Sequence, residues 1–499
     1  MLTKIKSAVK NSAIYSIGSI STKIIGLILL PIYTKHLTVS DYGILGIIEV
    51  STQLLISVFG LALYQAFFRW YWDKEYKHKQ KSMFFTSTIF LVFISILMYL
   101  GFYSFSEKFS VLLFDKTAYS YLLKIMVVSA GLQIVAQMPS TLMRLQERPI
   151  LYSATNIVKL IITLILTIYF IVFLKKNVEG IYEAQVIGLL VYFLTLSKYI
   201  WKNIRIKLET KILKGMLTFS LPLIFASISG VIFSIADRYC LKFLGNLSEV
   251  GIYSLGFKIA NTIKVFVITS VQLAISPIIF KMMDAPNNKR FYSKIMTYFT
   301  FGVMICVLGM SFFGKEIIKF LAQNKDYWEA YKVIPIISFA LLFGMLKDTS
   351  MMGLNIAKKT KIIAITMTIM SVFNIALNIV LIPHFQSIGA AIATLISQAI
   401  FFIAIFKIAQ KYYYIPYEIS KIIKMIILGV ILFGLSLLIN NFSLIFRVLL
   451  KLSMIGAFPL ILYCWNFYEK IEILRLKQSW HKWKNPGKWK ENISKNKVH

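Results

Sequence analysis

The chain has 499 residues, of which 58% are hydrophobic and 15% are charged, and its mean hydropathy is +0.72. About fourteen apolar segments fill this length, most of them of about twenty residues or more, which is enough for a helix to cross hydrocarbon about 30 Å thick. This composition excludes a water-soluble protein and leaves no room for a sizeable soluble domain.

The 55 Lys and Arg residues outnumber the 21 Asp and Glu residues, which gives a formal net charge of +34. In a soluble protein such a surplus would suggest nucleic-acid binding, but here the cations cluster in short loops between apolar segments, as cytoplasmic loops of membrane proteins do. We therefore expect no nucleic-acid partner. Because alternate loops carry the positive charge, we predict an even number of spans with both termini cytoplasmic. The most cationic loops are residues 74–81, 202–211 and 281–294.

The apolar segments predict an all-α polytopic membrane protein with about 14 transmembrane helices. The first segment exceeds the apolar core of a signal peptide, so we expect it to remain as a span. The predicted spans are residues 11–33, 42–68, 83–106, 117–143, 151–174, 180–200, 214–244, 248–280, 292–313, 330–355, 361–382, 387–409, 419–439 and 445–466.

The chain also repeats itself. Ser40-Asp41-Tyr42-Gly43-Ile44, at the entry to span two, recurs at an offset of 208 as Ser248-Glu249-Val250-Gly251-Ile252, at the entry to span eight. Gly180 and Gly389, entering spans six and twelve, are 209 residues apart. Because six spans separate the copies, both have the same orientation in the membrane, which is typical of transporters with a central cavity.

This repeat predicts two parallel six-helix lobes followed by two extra helices. The basic tail holds three tryptophans among lysines, which suits the headgroups of anionic membrane lipids, although a disordered tail fits equally well. The predicted domains are an N-lobe (1–213), a C-lobe (214–410), the appended spans thirteen and fourteen (411–468) and the cytoplasmic tail (469–499).

Several short motifs occur in a specific order along the whole chain. They are LLPIYTK at 29–35, SDYG at 40–43, FRWY at 68–71, ADRY at 236–239, SP at 276–277, NIALN at 374–378, IP at 382–383 and IGAAIAT at 388–394. Together they resemble the polysaccharide repeat-unit (Wzx-type) flippases of the multidrug/oligosaccharidyl-lipid/polysaccharide exporter superfamily.

The resemblance implies two lobes that form a V and move a polyprenyl-pyrophosphate-linked oligosaccharide between leaflets by alternating access. It places the protein in the bacterial inner membrane, in O-antigen or capsule biosynthesis, with a polysaccharide polymerase and other assembly proteins as partners. Because moving a headgroup breaks no bond, we expect neither enzymatic activity nor a cofactor, and no catalytic or metal-binding residues.

Charged side chains inside spans are the candidate site residues, because each costs about 2.5 to 3.5 kcal/mol at the bilayer centre on insertion scales and so needs a partner, water or a ligand. The repeat places apolar residues opposite most of them, which favours a functional role. The cations outnumber the anions and predict an electropositive cavity suited to a pyrophosphate, although Lys159 could instead reach a headgroup. The charged candidates are Lys23, Glu49, Lys159, Asp237, Arg238, Lys258 and Lys264.

The resemblance also suggests roles. Lys23 and Lys258 look like the positions of two cavity arginines in the related peptidoglycan lipid flippases, so we expect them to bind the diphosphate. Lysine supplies a point charge instead of a bidentate fork. Arg238 and Lys264 complete the expected cationic set.

Glu49 and Lys258 occupy near-equivalent positions of the two halves. We hypothesise that they form a salt bridge that opens when a pyrophosphate competes for the lysine. Gln53 shares a helix face with Glu49 and belongs to the same predicted gate. Asp237 is the candidate for proton or cation coupling, with a static structural role as the alternative.

Asn374 and Asn378 lie four residues apart on one face of span eleven. Their amides could bind sugar hydroxyls. Hydrogen bonding between helices is the alternative, worth about 0.6 kcal/mol per contact.

Two other functions compete with the flippase, and a non-transporting lipid scaffold is also compatible with the sequence. A membrane glycosyltransferase or polymerase would need acidic clusters or a large external loop, and the sequence has neither. A multidrug cation antiporter of the same superfamily would need an acidic cavity, whereas the predicted cavity is basic.

Overall fold

The computed structural model describes residues 26–283, 286–439 and 442–474, and within these ranges the chain is helical and contains no strand. Twelve of the helices in these ranges are long and apolar enough to cross a membrane. The prediction of an all-α, multi-pass membrane protein is therefore confirmed. Lys23 and most of the predicted first span lie outside the described residues.

The helices are numbered here in chain order. They are α1 (Leu30–His36), α2 (Val39–Phe59), α3 (Leu63–Trp70), α4 (Gln80–Phe114), α5 (Ser120–Leu145), α6 (Pro149–Ile168), α7 (Val178–Asn203), α8 (Thr210–Leu244), α9 (Leu247–Ala260), α10 (Thr269–Lys281), α11 (Asn288–Leu321), α12 (Val333–Ile356), α13 (Thr360–Tyr412), α14 (Ile419–Leu438) and α15 (Leu444–Cys464).

Two predicted spans lie within the 53-residue helix α13. Gln386, with φ 50° and ψ −127°, interrupts the helical backbone between them. A residue with positive φ cannot continue a right-handed helix, so predicted spans eleven and twelve are separate helices that meet at this residue. Predicted span eight is also composite, because the π-helical segment Ile263–Ile268 connects α9 to α10.

The internal repeat extends to the residues that start the helices. Thr38 caps α2, and its hydroxyl accepts a hydrogen bond from the backbone nitrogen of Asp41 at 3.1 Å. Asn246 caps α9, and its side-chain oxygen accepts a hydrogen bond from the backbone nitrogen of Glu249 at 3.0 Å. Both caps satisfy a free N–H of the first turn. Since 38 and 246 differ by the same 208 residues, the two helices start in the same register.

Packing divides the chain into two compact units. One comprises the described residues up to Asn288 together with Phe313–Ile415, and the other comprises Lys289–Phe312 together with the described residues from Pro416. In the second unit, Lys294 of α11 forms ion pairs with Glu418 at 2.9 Å and Glu469 at 2.6 Å. This unit groups predicted span nine with spans thirteen and fourteen, and the lobe boundaries at 213, 410 and 468 remain predictions.

Candidate functional site

A polar cavity of about 440 Å³ lies between helices of the first half of the repeat and α9 of the second half. Its polar lining comes from five helices, α2, α5, α6, α7 and α9, and carries amide and hydroxyl groups as well as two charges. The polar lining residues are Glu49, Thr52, Gln53, Ser57, Gln133, Thr163, Thr167, Tyr182, Gln185 and Lys258. Gly26, Leu29 and Tyr33 contribute from the start of the described chain.

The predicted ion pair between Glu49 and Lys258 is present in this cavity. The Lys258 Nζ atom lies 3.0 Å from Glu49 Oε1 and 5.6 Å from the centroid of the Tyr42 ring. The Lys258 side chain is 24% exposed and that of Glu49 is 45% exposed. An ion pair this accessible contributes about 1 kcal/mol or less, so a competing anion could open it. Gln53, one turn further along α2, lines the same cavity.

Asp237 of α8 is 1% exposed and accepts hydrogen bonds from three neutral side chains. The Tyr253 hydroxyl donates to its Oδ2 at 2.6 Å, the Thr394 hydroxyl donates to Oδ2 at 2.9 Å, and Asn378 Nδ2 donates to Oδ1 at 2.9 Å. In the described part of the chain no basic side chain lies within ion-pair distance of this carboxylate. Hydrogen bonds from three neutral donors compensate the buried carboxylate, and its role in proton or cation coupling remains a prediction.

The two asparagines predicted to contact sugars belong to this network. Asn374 and Asn378 are fully buried, and Asn378 Nδ2 also lies 3.1 Å from Asn374 Oδ1. Asn374 Nδ2 donates to the Ser397 hydroxyl at 3.3 Å. The Oδ1 atom of Asn378 has no hydrogen-bond partner among the described residues. The structure thus places both amides around Asp237 and not in the wall of the cavity.

Arg238 and Tyr239, which follow Asp237 in the ADRY motif, contact other residues. Arg238 is buried, its guanidinium lies 4.1 Å from the centroid of the Phe257 ring, and its Nη1 donates to the Ser234 carbonyl at 2.9 Å. The Tyr239 hydroxyl lies 2.7 Å from the Ser51 hydroxyl of α2. Asp237 and Arg238 therefore form no ion pair with each other, but both contact Tyr253, whose ring centroid lies 5.3 Å from the Arg238 guanidinium.

Lys264 does not join the other predicted ligands. It lies in the π-helical segment after α9, its side chain is exposed, and it is not part of the lining of the Glu49–Lys258 cavity. Its role as a diphosphate ligand remains a prediction.

Our sequence analysis missed a second charged pair. Lys347 and Asp348 lie in the interior of α12, with 3.1 Å between Nζ and Oδ1. Lys347 is buried with its Nζ 4.8 Å from the centroid of the Phe401 ring. Glu49 was selected as a charged side chain inside a predicted span. The same rule would have found this pair, because both residues lie inside predicted span ten.

Repeated helices around a polar cavity are typical of polytopic membrane transporters. The family model described as "Polysaccharide biosynthesis protein" matches residues 8–283, more than half of the chain, and the protein belongs to this family. The MatE family model matches residues 222–380. The resemblance to the exporter superfamily is thus confirmed.

Solved structures share the fold. The lipid II flippase MurJ in an inward closed conformation has a TM-score of 0.76 and 17% identity, and the match covers 91% of this chain and 99% of MurJ. The Vibrio cholerae MATE transporter VcmN, in a mutant form, has a TM-score of 0.57 and 14% identity, with coverage of 81% and 96%. A superfamily transporter from Pyrococcus furiosus has a TM-score of 0.55 and 12% identity, with coverage of 81% and 95%.

An uncharacterised membrane protein of Methanocaldococcus jannaschii is 24% identical over 319 residues. The match covers 61% of this chain and 62% of that protein, so the chain spans less than two thirds of this relative.

Proposed function

We propose that the protein moves a polyprenyl-pyrophosphate-linked oligosaccharide repeat unit from the cytoplasmic to the outer leaflet of the bacterial inner membrane, for surface polysaccharide biosynthesis. The observation that carries this proposal is the Glu49–Lys258 ion pair inside a polar cavity. Lys258 can bind a phosphate oxygen, and the amides and hydroxyls around it can bind sugar hydroxyls.

Transport would begin with competition for Lys258. The ion pair joins α2 of the first half to α9 of the second half, so it adds to the contacts between these two helices. A pyrophosphate carries more negative charge than one carboxylate and draws the lysine away from Glu49. Loss of this contact lets α2 and α9 separate, which links substrate binding to the change of access.

Asp237 would couple this cycle to a proton or cation gradient. Its carboxylate is buried among neutral donors, and the unpaired Asn378 Oδ1 provides a further oxygen nearby. Binding a cation or proton there would compensate the buried charge and change the packing of α8 against α13. With both termini in the cytoplasm, the basic tail would contact anionic lipids, and a polymerase would receive the flipped unit.

The multidrug antiporter is the second candidate, because the MatE family model matches part of the second half and MATE transporters share the fold. An organic cation would need an acidic group that is available to it. In the described cavity the only acidic lining residue, Glu49, is already paired with Lys258. The described lining therefore carries one charge of each sign, and the transport experiment below decides between an anionic and a cationic cargo.

Reconstitution of the full chain in vesicles tests the proposal. A fluorescent polyprenyl-pyrophosphate oligosaccharide is incorporated, and its transfer is followed by quenching from outside under proton or sodium gradients. We expect transfer by the wild-type chain, a large loss in K258Q, and no gradient-driven uptake of the cation tetraphenylphosphonium. Tetraphenylphosphonium uptake without transfer of the lipid would replace the flippase by the antiporter.

A further inference from the structure

A second cavity, of about 460 Å³, adjoins the first and is lined by residues of the first half alone. Ile56 and Gln133 line both cavities. From Gln133 the second cavity follows α5 to Arg144 in the last turn of that helix, roughly 16 Å along the axis. The two cavities are therefore neighbours, and the first contains the Glu49–Lys258 pair.

Lys159 is held in the wall of this second cavity. It lies in the middle of α6, is half-buried, and has its Nζ 5.3 Å from the centroid of the Tyr192 ring of α7. The Tyr192 hydroxyl is fixed in turn at 2.8 Å from the Ser140 hydroxyl of α5. The ammonium group thus points into the first half, and not along the helix toward a lipid headgroup.

The lining of the second cavity is basic. Lys159 and Arg144 contribute two positive charges, and no Asp or Glu lines this cavity in the described part of the chain. Arg144 donates from Nη2 to the Thr141 hydroxyl at 3.3 Å. Lys159 is half-buried and Arg144 is exposed at the end of α5, and no carboxylate of the cavity wall pairs with either, so both can bind an anion.

The neutral lining residues indicate what kind of anion fits. Gln133 and Gln137 of α5 provide amides that can both donate to and accept from hydroxyl groups. Tyr64 and Tyr192 provide aromatic rings with a polar edge. A phosphate of a lipid headgroup would use the cations and the N–H and O–H donors, whereas an acidic sugar would also use the amide carbonyls, through its own hydroxyls, and the faces of the rings.

We propose that the second cavity binds an acidic sugar of the cargo, with Lys159 and Arg144 receiving its carboxylate. This inference rests on the proposed function and specifies its substrate class: lipid-linked oligosaccharides that contain a hexuronic acid. The first cavity then holds the diphosphate end of the cargo, and the second cavity holds the acidic ring.

Chemical footprinting of the purified full chain tests the site without transport. Acetylation of individual lysines is measured by mass spectrometry with methyl glucuronide, methyl glucoside or glycerol 3-phosphate present. We expect glucuronide alone to slow acetylation of Lys159. Lys124 is the matched control, because it is also half-buried and lies 4.3 Å from the centroid of an aromatic ring, that of Tyr103, but does not line the cavity.

Variants give the expected size of the effect. K159Q should raise the Kd for methyl glucuronide about tenfold, as expected for the loss of one charge-assisted hydrogen bond, while K124Q should leave it unchanged. Protection by glycerol 3-phosphate to the same extent would identify a headgroup site and overturn the proposal. Absence of protection by any of the three compounds would overturn it as well.

A transport assay separates this inference from the proposed function. Two polyprenyl-pyrophosphate disaccharides are compared, one ending in glucuronic acid and one ending in glucose. We expect K159Q to slow only the acidic cargo. Equal slowing of both cargoes by K159Q would refute the acidic-sugar site but not the flippase function. If the wild-type chain transfers neither cargo, the flippase function is refuted, and the footprinting result alone decides whether the acidic-sugar site exists.

Discussion

Gly43 and Gly251 are equivalent residues of the internal repeat, and each packs against the backbone at the start of the other's helix. A Cβ atom on Gly43 would lie 1.8 Å from the Leu247 carbonyl oxygen, and one on Gly251 would lie 2.1 Å from the Val39 carbonyl oxygen. Val39 and Leu247 are also separated by 208 residues, so the contact is reciprocal, as across a two-fold axis. Neither glycine can carry a side chain unless α2 and α9 move apart.

This reciprocal contact lies at the end of α2 and α9 that we predict to face outward. Tyr327, in the segment before α12, adds to it by donating a hydrogen bond to the Thr38 carbonyl at 2.8 Å. The Glu49–Lys258 pair lies further along the same two helices. Backbone contact at the outer end and an ion pair near the middle therefore close one side of the cavity together.

We predict that G43A and G251A both favour separation of α2 from α9. Overpacking costs of about 1 to 3 kcal/mol should shift the population of open molecules about tenfold. The measurement is the labelling rate of S254C by a membrane-impermeant maleimide, in a chain whose three native cysteines are replaced. Ser254 is suitable because it is buried against Gly46, where a Cβ would lie 2.5 Å from its hydroxyl oxygen.

G101A is the matched control for these variants, because no atom outside its own helix lies within 4 Å of the Cβ position of Gly101. It should leave the labelling rate unchanged. A wild-type labelling rate in both G43A and G251A would show that the glycine contact does not control access.

We predict opposite effects of neutralising the two members of the ion pair. K258Q should weaken binding of inorganic pyrophosphate about tenfold, because a charge-assisted hydrogen bond is lost. E49Q should strengthen it by a few-fold at most, because an accessible ion pair contributes about 1 kcal/mol or less. Calorimetry with the purified chain measures both values.

K242Q serves as the control for the ion-pair variants. Lys242 also pairs with a carboxylate, Asp115, at 2.6 Å, but neither residue lines the cavity. The charge-swapped chain E49K/K258E should restore closure of the gate that each single swap disrupts. Failure of the double swap to restore it would contradict the gating role.

The sequence was sufficient to predict the helices and one pair across the two halves. Apolar length identifies spans, and the repeat aligns Glu49 with a position one residue from Lys258, so both side chains were expected at similar depths. Whether two such residues meet depends only on the face each helix presents to its neighbour. For α2 and α9 the signal that our sequence analysis did not use is the pair Gly43 and Gly251, because small residues allow helices to approach closely.

The environment of Asp237 could not be predicted in the same way. Its partners Tyr253, Asn378 and Thr394 lie on α9 and on both sides of the break in α13. Their convergence depends on the irregular backbone at Gln386, which sets how the two parts of α13 are oriented. No periodicity in the sequence encodes that angle. The second cavity was missed for a similar reason, since its lining comes from five separate helices.

We predict that Glu418 makes the second unit sensitive to acid. Burial opposes ionisation of this carboxyl, but hydrogen bonds from Lys294, Thr297 and Lys421 outweigh burial and lower its pKa below the ordinary value of 4.5. Because the pKa of Glu418 is lower in the folded chain than in the unfolded chain, its ionised carboxyl stabilises the folded chain above pH 4.5. This stabilisation is lost as the pH falls through the lowered pKa. Thermal unfolding of wild type and E418Q in detergent between pH 7 and pH 3 measures the difference.

The wild-type chain should be more stable than E418Q near neutral pH, and the difference should disappear at the acidic end of the range. E107Q, which changes an exposed glutamate of α4, should follow the wild-type curve. A constant difference between wild type and E418Q at every pH would rule out the ionised carboxyl as its cause.

We predict that D237N abolishes the response of transport to an ion gradient. Asparagine keeps an oxygen that can accept from Tyr253 or Thr394 but removes the charge that would attract a proton or cation. Transfer of the fluorescent lipid is measured with a proton gradient, a sodium gradient and none. D348N is the matched control, because Asp348 is also an acid within a predicted span but is paired with Lys347. Wild-type gradient dependence in D237N would assign Asp237 a purely structural role, since its hydrogen bonds alone would then suffice.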